Sequence, residues 1–192
     1  EFDNELRLKL GGATVHVVHH PAETDDQCYV WLPDRQALYS ADYYQGFLPN
    51  MGNGKRVQRG TDQWVIALRE MADLGATVML PGHGKAIVNS ETIRSELKIL
   101  ADALAHIIDQ VVDGLNARLR KDQIVDCLNW PPRVADHPTL AVTYGSPRDI
   151  LQSATGAVPV EMERSKENGF CCGAGARQGK DGIMRLVTNK NL

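Results

Sequence analysis

Three potential metal-binding side chains stand beside short apolar segments, and this pattern constrains the possible folds more than any other feature of the sequence. Asp42 directly follows the apolar segment ALYSA, and His83 lies between two glycines just after the segment ATVML. Glu23 lies in a polar stretch before the segment CYVWL. Strands and the turns beside them hold functional side chains more rigidly than long loops do. The pattern therefore predicts an α/β fold with a functional site at an edge of its sheet.

Glu23, Asp42 and His83 are candidate metal ligands, because carboxylate oxygen and imidazole nitrogen both bind Zn²⁺. A bridging carboxylate suits two cations about 4 Å apart, since it partly neutralises their repulsion. Asp42, which emerges from an apolar strand, is the candidate for such a bridge. For Glu23 the alternative is a solvated surface charge, which is the usual state of a glutamate in a loop.

One alternating segment and several short apolar runs predict five strands around these positions. The segment LRLKLGGATVHVVHH predicts a strand, a turn at the two glycines and a second strand. The segment QCYVWLPDRQALYSAD predicts a hairpin, because Pro33 and Asp34 both favour a turn. The segment ATVML predicts a buried fifth strand. In this pattern His16 alternates with valines and is predicted to pack within its strand.

Apolar residues at helical spacing predict three helices. The first begins at Thr61 and ends near Gly75, a residue type that commonly follows a helix. The second is capped by Asn89 or Ser90 and has one apolar stripe over about 25 residues or more. A helix this long often packs on another helix, within the chain or across a dimer. A short third helix is predicted to begin at Asp122.

Composition excludes several classes of protein. The 192 residues have a formal net charge of −3, so the chain has no excess of basic residues for binding a nucleic acid. No apolar run approaches the roughly 20 residues of a membrane span, and the first residues lack a signal-peptide pattern. Among the four cysteines, Cys28 and Cys127 lie in apolar patterns that predict buried free thiols. A reducing, cytoplasmic location is expected.

The order of five motifs resembles the second half of the metallo-β-lactamase fold, in particular its alkyl sulfatase branch. These motifs are PAET, the hairpin ending in SAD, LPNMGN, the helix containing Trp64, and LPGHG. The resemblance covers roughly residues 11–147. It implies an α/β fold, namely the second half of an αββα sandwich, followed by a long helical segment that forms homodimers. It also implies that Glu23 and His83 bind metal and that Asp42 bridges two zinc ions.

The function that this resemblance implies is zinc-dependent hydrolysis of small-molecule sulfate esters. Arg59 would contact the sulfate group, because a guanidinium presents forked donors that fit a tetrahedral oxyanion. Asn50 would help with its amide group. The alternatives are a surface arginine before a helix and an asparagine that forms a turn. The first metal motif of the superfamily, HxHxDH, does not occur in this sequence. We therefore expect the chain to be a fragment whose hydrolytic activity depends on that motif being supplied upstream.

The C-terminal stretch YGSPRDILQSATGAVPVEMERSKENGFCCGAGA resembles a different family, the CCG domain of heterodisulfide-reductase-like iron–sulfur proteins. Cys171, Cys172 and Gly173 match its Cys-Cys-Gly motif, which implies an iron–sulfur cluster. Such a domain needs a further cysteine upstream, and the nearest one here is Cys127. The alternative is a pair of exposed thiols on a glycine-rich tail.

The sequence therefore predicts three segments and leaves three functions open. The segments are a partial metallo-β-lactamase-like metal domain, a helical dimerisation-type segment and a CCG-like tail, at residues 1–88, 89–145 and 146–192. The functions are a zinc-dependent alkyl-sulfatase-like hydrolase, an electron-transfer module that works with cysteines on another subunit, and a non-catalytic fragment that mediates association.

Overall fold

The computed structural model describes residues 2–51, 59–143 and 145–155. These residues form a six-stranded sheet and four α-helices. The strands are β1 (Glu5–Leu10), β2 (Ala13–His19), β3 (Cys28–Leu32), β4 (Ala37–Ala41), β5 (Val78–Pro81) and β6 (Ile87–Val88). The helices are α1 (Thr61–Asp73), α2 (Ser90–Asn116), α3 (Lys121–Cys127) and α4 (Pro147–Thr155).

The strands lie in the sheet in the order in which they occur in the chain. Strands β1 to β4 pair antiparallel, β4 and β5 pair parallel across the crossover helix α1, and β6 returns antiparallel. Gly11 and Gly12 form the β1–β2 turn with positive φ angles of 55° and 82°, which a two-residue hairpin of this kind requires. The predicted hairpin at Pro33 is confirmed, with a short 3-10 helix at its turn.

One face of the sheet packs against the helices. The buried residues Trp31, Leu38 and Met79 are neighbours in register on β3, β4 and β5. They share one hydrophobic cluster with α1 and α2, so the sheet and the long helix have a common core. This packing fixes the ends of β4 and β5, where two of the predicted site residues lie.

The opposite face of the sheet is apolar as well. Across five strands, one row of neighbours consists of Leu6, Val17, Val30, Tyr39 and Leu80. None of these side chains is fully buried by the described residues, and 44% of the surface of Tyr39 is exposed. In a sandwich, two sheets bury such faces against each other. The predicted fold class, half of an αββα sandwich, is confirmed.

The predicted helices are present, with small differences at their ends. Helix α2 has 27 residues, and the Asn89 side chain accepts a hydrogen bond from Thr92 N at its start (3.1 Å). Helix α3 begins at Lys121, one residue before the predicted Asp122. Strand β6 and helix α4 were not predicted. The division of the chain at residues 88 and 145 stays a prediction.

The prediction of buried thiols at Cys28 and Cys127 is wrong. Cys127 is exposed and Cys28 is only half-buried. Cys127 is the last residue of α3, and Ile124 is the buried residue of that helix. Among the described residues, no helix combines the length and the apolar character that crossing a membrane requires.

Candidate metal centre

A buried tyrosine joins the two ends of the loop that carries Glu23, which runs from His20 to Gln27. The backbone amide of His20 donates to the carbonyl of Gln27 (3.1 Å). The Tyr43 hydroxyl contacts the backbone carbonyl oxygens of both His20 and Gln27, and it lies 2.9 Å from the latter. Within the loop, the Glu23 amide donates to Gln27 Oε1 (2.8 Å). The backbone of Glu23 is thus fixed relative to the end of β4, where Tyr43 follows Asp42.

The Glu23 carboxylate is held by two buried side chains. Its Oε1 atom lies 2.9 Å from Arg59 Nη1, and its Oε2 atom accepts a hydrogen bond from Gln45 Nε2 (3.2 Å). Only 20% of the Glu23 side chain is exposed, so the alternative of a solvated surface charge is wrong. A carboxylate has about four lone-pair sites, and one contact at each oxygen leaves acceptor capacity for a cation.

Asp42 and His83 lie next to each other at the ends of β4 and β5. Asp42 Oδ1 is 3.4 Å from His83 Nε2, longer than a usual hydrogen bond of about 2.7–3.2 Å. Two ligands of one tetrahedral zinc, with bonds of about 2.0–2.2 Å, lie about 3.4 Å from each other. The donor atoms are accessible, since 35% of the Asp42 side chain and 61% of the His83 side chain are exposed. The pair therefore fits two positions of a zinc site.

Gly82 allows Asp42 and His83 to lie this close to each other. A Cβ atom on Gly82 would lie 1.9 Å from Asp42 Oδ1 and within 2.9 Å of the backbone at residues 41 and 42. The Gly82 amide also donates to the Ala41 carbonyl (2.8 Å), which ties the turn after β5 to the end of β4. The short spacing of Asp42 and His83 thus depends on a residue without a side chain.

The structure brings the predicted ligands together only in part. The Gln45 amide nitrogen contacts the Glu23 carboxylate and lies 3.5 Å from the Asp42 carbonyl oxygen, so Gln45 links the two acidic residues. Over residues 2–51, 59–143 and 145–155, no group of three or more His, Cys, Asp or Glu side chains has the arrangement of a metal site. Asp42 and His83 form a donor pair, and the convergence of Glu23 on the same ion stays a prediction.

The predicted substrate-binding residues Arg59 and Asn50 are both buried. Arg59 is 6% exposed, so the alternative of a surface arginine is wrong. Its Nη1 atom contacts the Asn50 backbone carbonyl as well as Glu23. Gly145 packs so closely on the segment of Asn50 that a Cβ atom would lie 2.2 Å from Pro49 O. Whether Arg59 and Asn50 contact a substrate stays a prediction. The proposed cluster ligands Cys171 and Cys172 lie outside the described residues.

Sequence reasoning missed Tyr43, Gln45 and Gln27, which surround Glu23. Burial raises the pKa of Tyr43 well above its usual range, so its hydroxyl remains a hydrogen-bond donor at neutral pH. A second tyrosine, Tyr44, donates to Glu96 Oε2 on α2 (2.6 Å). The one signal in the sequence was that both tyrosines directly follow Asp42.

Comparison with solved structures defines the class of fold. The structure of the stereoselective inverting sec-alkylsulfatase Pisa1 from a Pseudomonas species matches 98% of this chain and 32% of its own chain, with a TM-score of 0.74 and 14% identity. A variant of the same sulfatase gives a TM-score of 0.71. The chain therefore has the metallo-β-lactamase fold in the form found in alkylsulfatases.

Curated relatives agree with this class. The linear primary-alkylsulfatase of a Pseudomonas strain is 33% identical over an alignment of 172 residues, and the match covers 84% of this chain and 33% of the relative. The beta-lactamase-like protein 2 homolog of Caenorhabditis elegans is 31% identical over 85 residues, 44% of this chain and 27% of the relative. The chain thus spans between about a quarter and a third of the length of these relatives. An alkylsulfatase is a homologue of this chain.

One further relative matches only a short segment of the chain. The probable iron–sulfur-binding oxidoreductase FadF of Bacillus subtilis is 59% identical over 32 residues, which are 17% of this chain and 4% of the relative. No family model matches the sequence.

Proposed function

We propose that this chain contributes metal ligands to a zinc-dependent hydrolase that cleaves sulfate esters of small molecules. The observation that carries the proposal is the 3.4 Å spacing of Asp42 Oδ1 and His83 Nε2, two accessible donor atoms at neighbouring strand ends. The homologous linear primary-alkylsulfatase supports the choice of sulfate esters. Two donors do not complete a zinc site, so the remaining ligands come from Glu23 and from an HxHxDH motif outside this sequence.

In this proposal each ligand has a distinct environment. Asp42 and His83 lie at the accessible end of the sheet, and Asp42 would be the ligand that two zinc ions share. Glu23 offers the lone pairs that remain after its contacts with Arg59 and Gln45. When bound, zinc supplies positive charge that makes water more acidic and offsets the negative charge of a departing sulfate.

Arg59 and Asn50 are proposed to lie close to the sulfate group. The Arg59 guanidinium places a positive charge beside Glu23, and its planar fork suits a tetrahedral oxyanion. In the structure Arg59 also orients the Glu23 carboxylate, so its loss affects both substrate and metal. The burial of Arg59 next to Glu23 supports its role in orienting that carboxylate.

The test uses a polypeptide that joins this chain to the HxHxDH-containing part of an alkylsulfatase. We expect zinc-dependent release of sulfate from a long-chain alkyl sulfate, and loss of that activity in His83→Ala. Asp102→Ala, an exposed substitution on α2, is the matched control and keeps the activity. Full activity of His83→Ala would contradict the proposal.

A second proposal concerns Cys171 and Cys172, and it is supported by their Cys-Cys-Gly motif together with the 59% identity of 32 residues of this chain to FadF. Cys171 and Cys172 are proposed ligands of an iron–sulfur cluster whose other ligands come from a partner subunit. Anaerobic reconstitution with iron and sulfide tests this, with visible absorption as the readout. The absorption should disappear in Cys171→Ser and persist in the control Cys28→Ser; absorption that Cys171→Ser leaves unchanged would contradict the proposal.

We also propose that α2 takes part in a homodimer. Val112 and Leu115 lie one turn from each other near the end of this helix, and they are 44% and 38% exposed. Apolar side chains at this spacing form a stripe that a second helix can cover.

A further inference from the structure

We propose that Gln45 and Tyr43 are positioning residues that fix the Glu23 carboxylate relative to Asp42. The inference rests on the proposed metal site and deepens it. Residues 42–45 form a short segment directly after β4, with Asp42 at its start. The two buried side chains of Tyr43 and Gln45 reach from this segment to the loop of Glu23. One segment thus holds one proposed ligand and determines where the other one lies.

Tyr43 is the rigid part of this arrangement. Its side chain is fully buried, and its ring makes edge contacts with Tyr29 and Trp64 at centroid distances of 6.2 and 6.3 Å. The indole of Trp64 donates to the Tyr43 carbonyl (3.0 Å), so the backbone is held as well. The hydroxyl therefore has a fixed position, from which it joins the two ends of the loop at His20 and Gln27.

Gln45 acts on the carboxylate itself. It is 6% exposed, and a buried amide needs hydrogen-bond partners to offset the loss of water. Its Nε2 atom finds them in Glu23 Oε2 and, at 3.5 Å, in the Asp42 carbonyl. Because Gln45 is neutral, it orients the carboxylate without cancelling the negative charge that attracts a cation. Arg59, on the other oxygen, supplies charge compensation in the absence of metal.

Hydrogen bonds to a ligating carboxylate influence metal binding, and their loss commonly lowers affinity about 10–100-fold. The Glu23 amide donates to Gln27, and its two carboxylate oxygens contact Arg59 and Gln45. Of these, the Gln45 contact is the one that also reaches the Asp42 backbone. We therefore expect Gln45 to determine the relative position of the two acidic ligands.

The experiment uses the full 192-residue chain and two conservative variants. Gln45→Met keeps the length of the side chain but removes the donor, and Tyr43→Phe removes only the hydroxyl. Gln63→Met on α1 and Tyr39→Phe on the open sheet face are the matched controls. Without metal, amide hydrogen exchange in residues 20–27 should become about tenfold faster in each variant, as expected for the loss of one hydrogen bond. The controls should leave it unchanged.

A zinc titration of the same variants, in the polypeptide that joins this chain to the HxHxDH-containing part of an alkylsulfatase, then separates positioning from general destabilisation. Gln45→Met should weaken zinc binding about tenfold or more, and it should have no further effect in a Glu23→Gln background if it acts through Glu23. Unchanged hydrogen exchange in both variants would overturn the inference even if zinc binds. If the joined polypeptide without substitutions binds no zinc, the proposed function fails, and hydrogen exchange still decides whether these residues hold the loop.

Discussion

Asp42 Oδ1 and His83 Nε2 lie 3.4 Å from each other across the parallel strands β4 and β5. The two residues are 41 positions apart in the sequence, and the crossover through α1 brings them together. The register of β4 and β5 and the absence of a side chain at Gly82 determine this spacing. The proposed metal centre is therefore a direct consequence of the fold of this sheet edge.

Replacing Gly82 with alanine should disrupt this edge. The new methyl group would lie 1.9 Å from Asp42 Oδ1 and close to the backbone, so either the turn or Asp42 must move. We expect a loss of about 1–3 kcal/mol in the free energy of unfolding, as is usual for overpacking. Chemical denaturation measures it. The control Gly60→Ala adds a methyl group whose nearest neighbours are 3.6 Å away, and equal losses in both variants would contradict the structure.

Replacing Arg59 with methionine should destabilise the chain, because it leaves the largely buried Glu23 carboxylate without its cation. We expect a loss of about 1–3 kcal/mol, less than for a fully buried pair since Glu23 is 20% exposed. The double variant Arg59→Met, Glu23→Gln should recover part of this loss, because it removes the uncompensated charge. Denaturation of the four proteins measures the coupling, and strictly additive effects would argue against this ion pair.

High pH should destabilise the protein through three buried tyrosines. Burial, the largest cause in each case, raises the pKa of Tyr29, Tyr43 and Tyr44 above the usual value near 10. The unfolded chain then loses protons above about pH 10 while the folded protein retains them, so stability is complete below that pH and falls as pH rises. Each tyrosine contributes up to about 1.4 kcal/mol per pH unit in that range.

Denaturation between pH 8 and 11 measures this dependence. Tyr44→Phe should make the fall less steep, because one of the three groups no longer ionises in the unfolded chain. It should also cost about 1 kcal/mol at neutral pH through the lost hydrogen bond to Glu96. An unchanged slope in Tyr44→Phe would show that this tyrosine ionises equally in the folded and unfolded protein.

The proposed homodimer should depend on the exposed apolar stripe of α2. Leu115→Lys places a charge on this stripe and should shift the protein to a monomer in sedimentation experiments, with little change in stability because the site is 38% exposed. Ile66→Lys, at a similarly exposed position of α1, is the control and should leave the dimer intact. A wild-type monomer, or a dimer that tolerates Leu115→Lys, would contradict the assignment of the interface.

Periodic apolar residues made most of the fold predictable. The alternation in β1, the apolar runs of β2 to β4 and the stripe of α2 are local signals, and they predicted these elements correctly. The two-residue strand β6 has too few residues for any periodicity, and α4 lies in a segment that was interpreted through a family motif. Cys127 was predicted to be buried because its neighbours are apolar, although the short helix α3 buries only Ile124.

The candidate site was predictable where a side chain ends a strand. Asp42 and His83 were identified in this way, and the structure brings them together. Gln45 and Glu23 are 22 residues apart, and no local pattern indicates that one donates a hydrogen bond to the other. The same holds for Arg59 and Glu23, whose contact depends on how the loop and the start of α1 pack in three dimensions.

Zinc binding by the polypeptide that joins this chain to the HxHxDH-containing part of an alkylsulfatase tests the central claim most directly. We expect saturable binding by this polypeptide, measured by calorimetric titration, and loss of that binding in Asp42→Ala. Asp102→Ala, a substitution of an exposed aspartate on α2, should bind as the wild type does. Unchanged zinc stoichiometry and affinity in Asp42→Ala would contradict the assignment of this sheet edge as a metal centre.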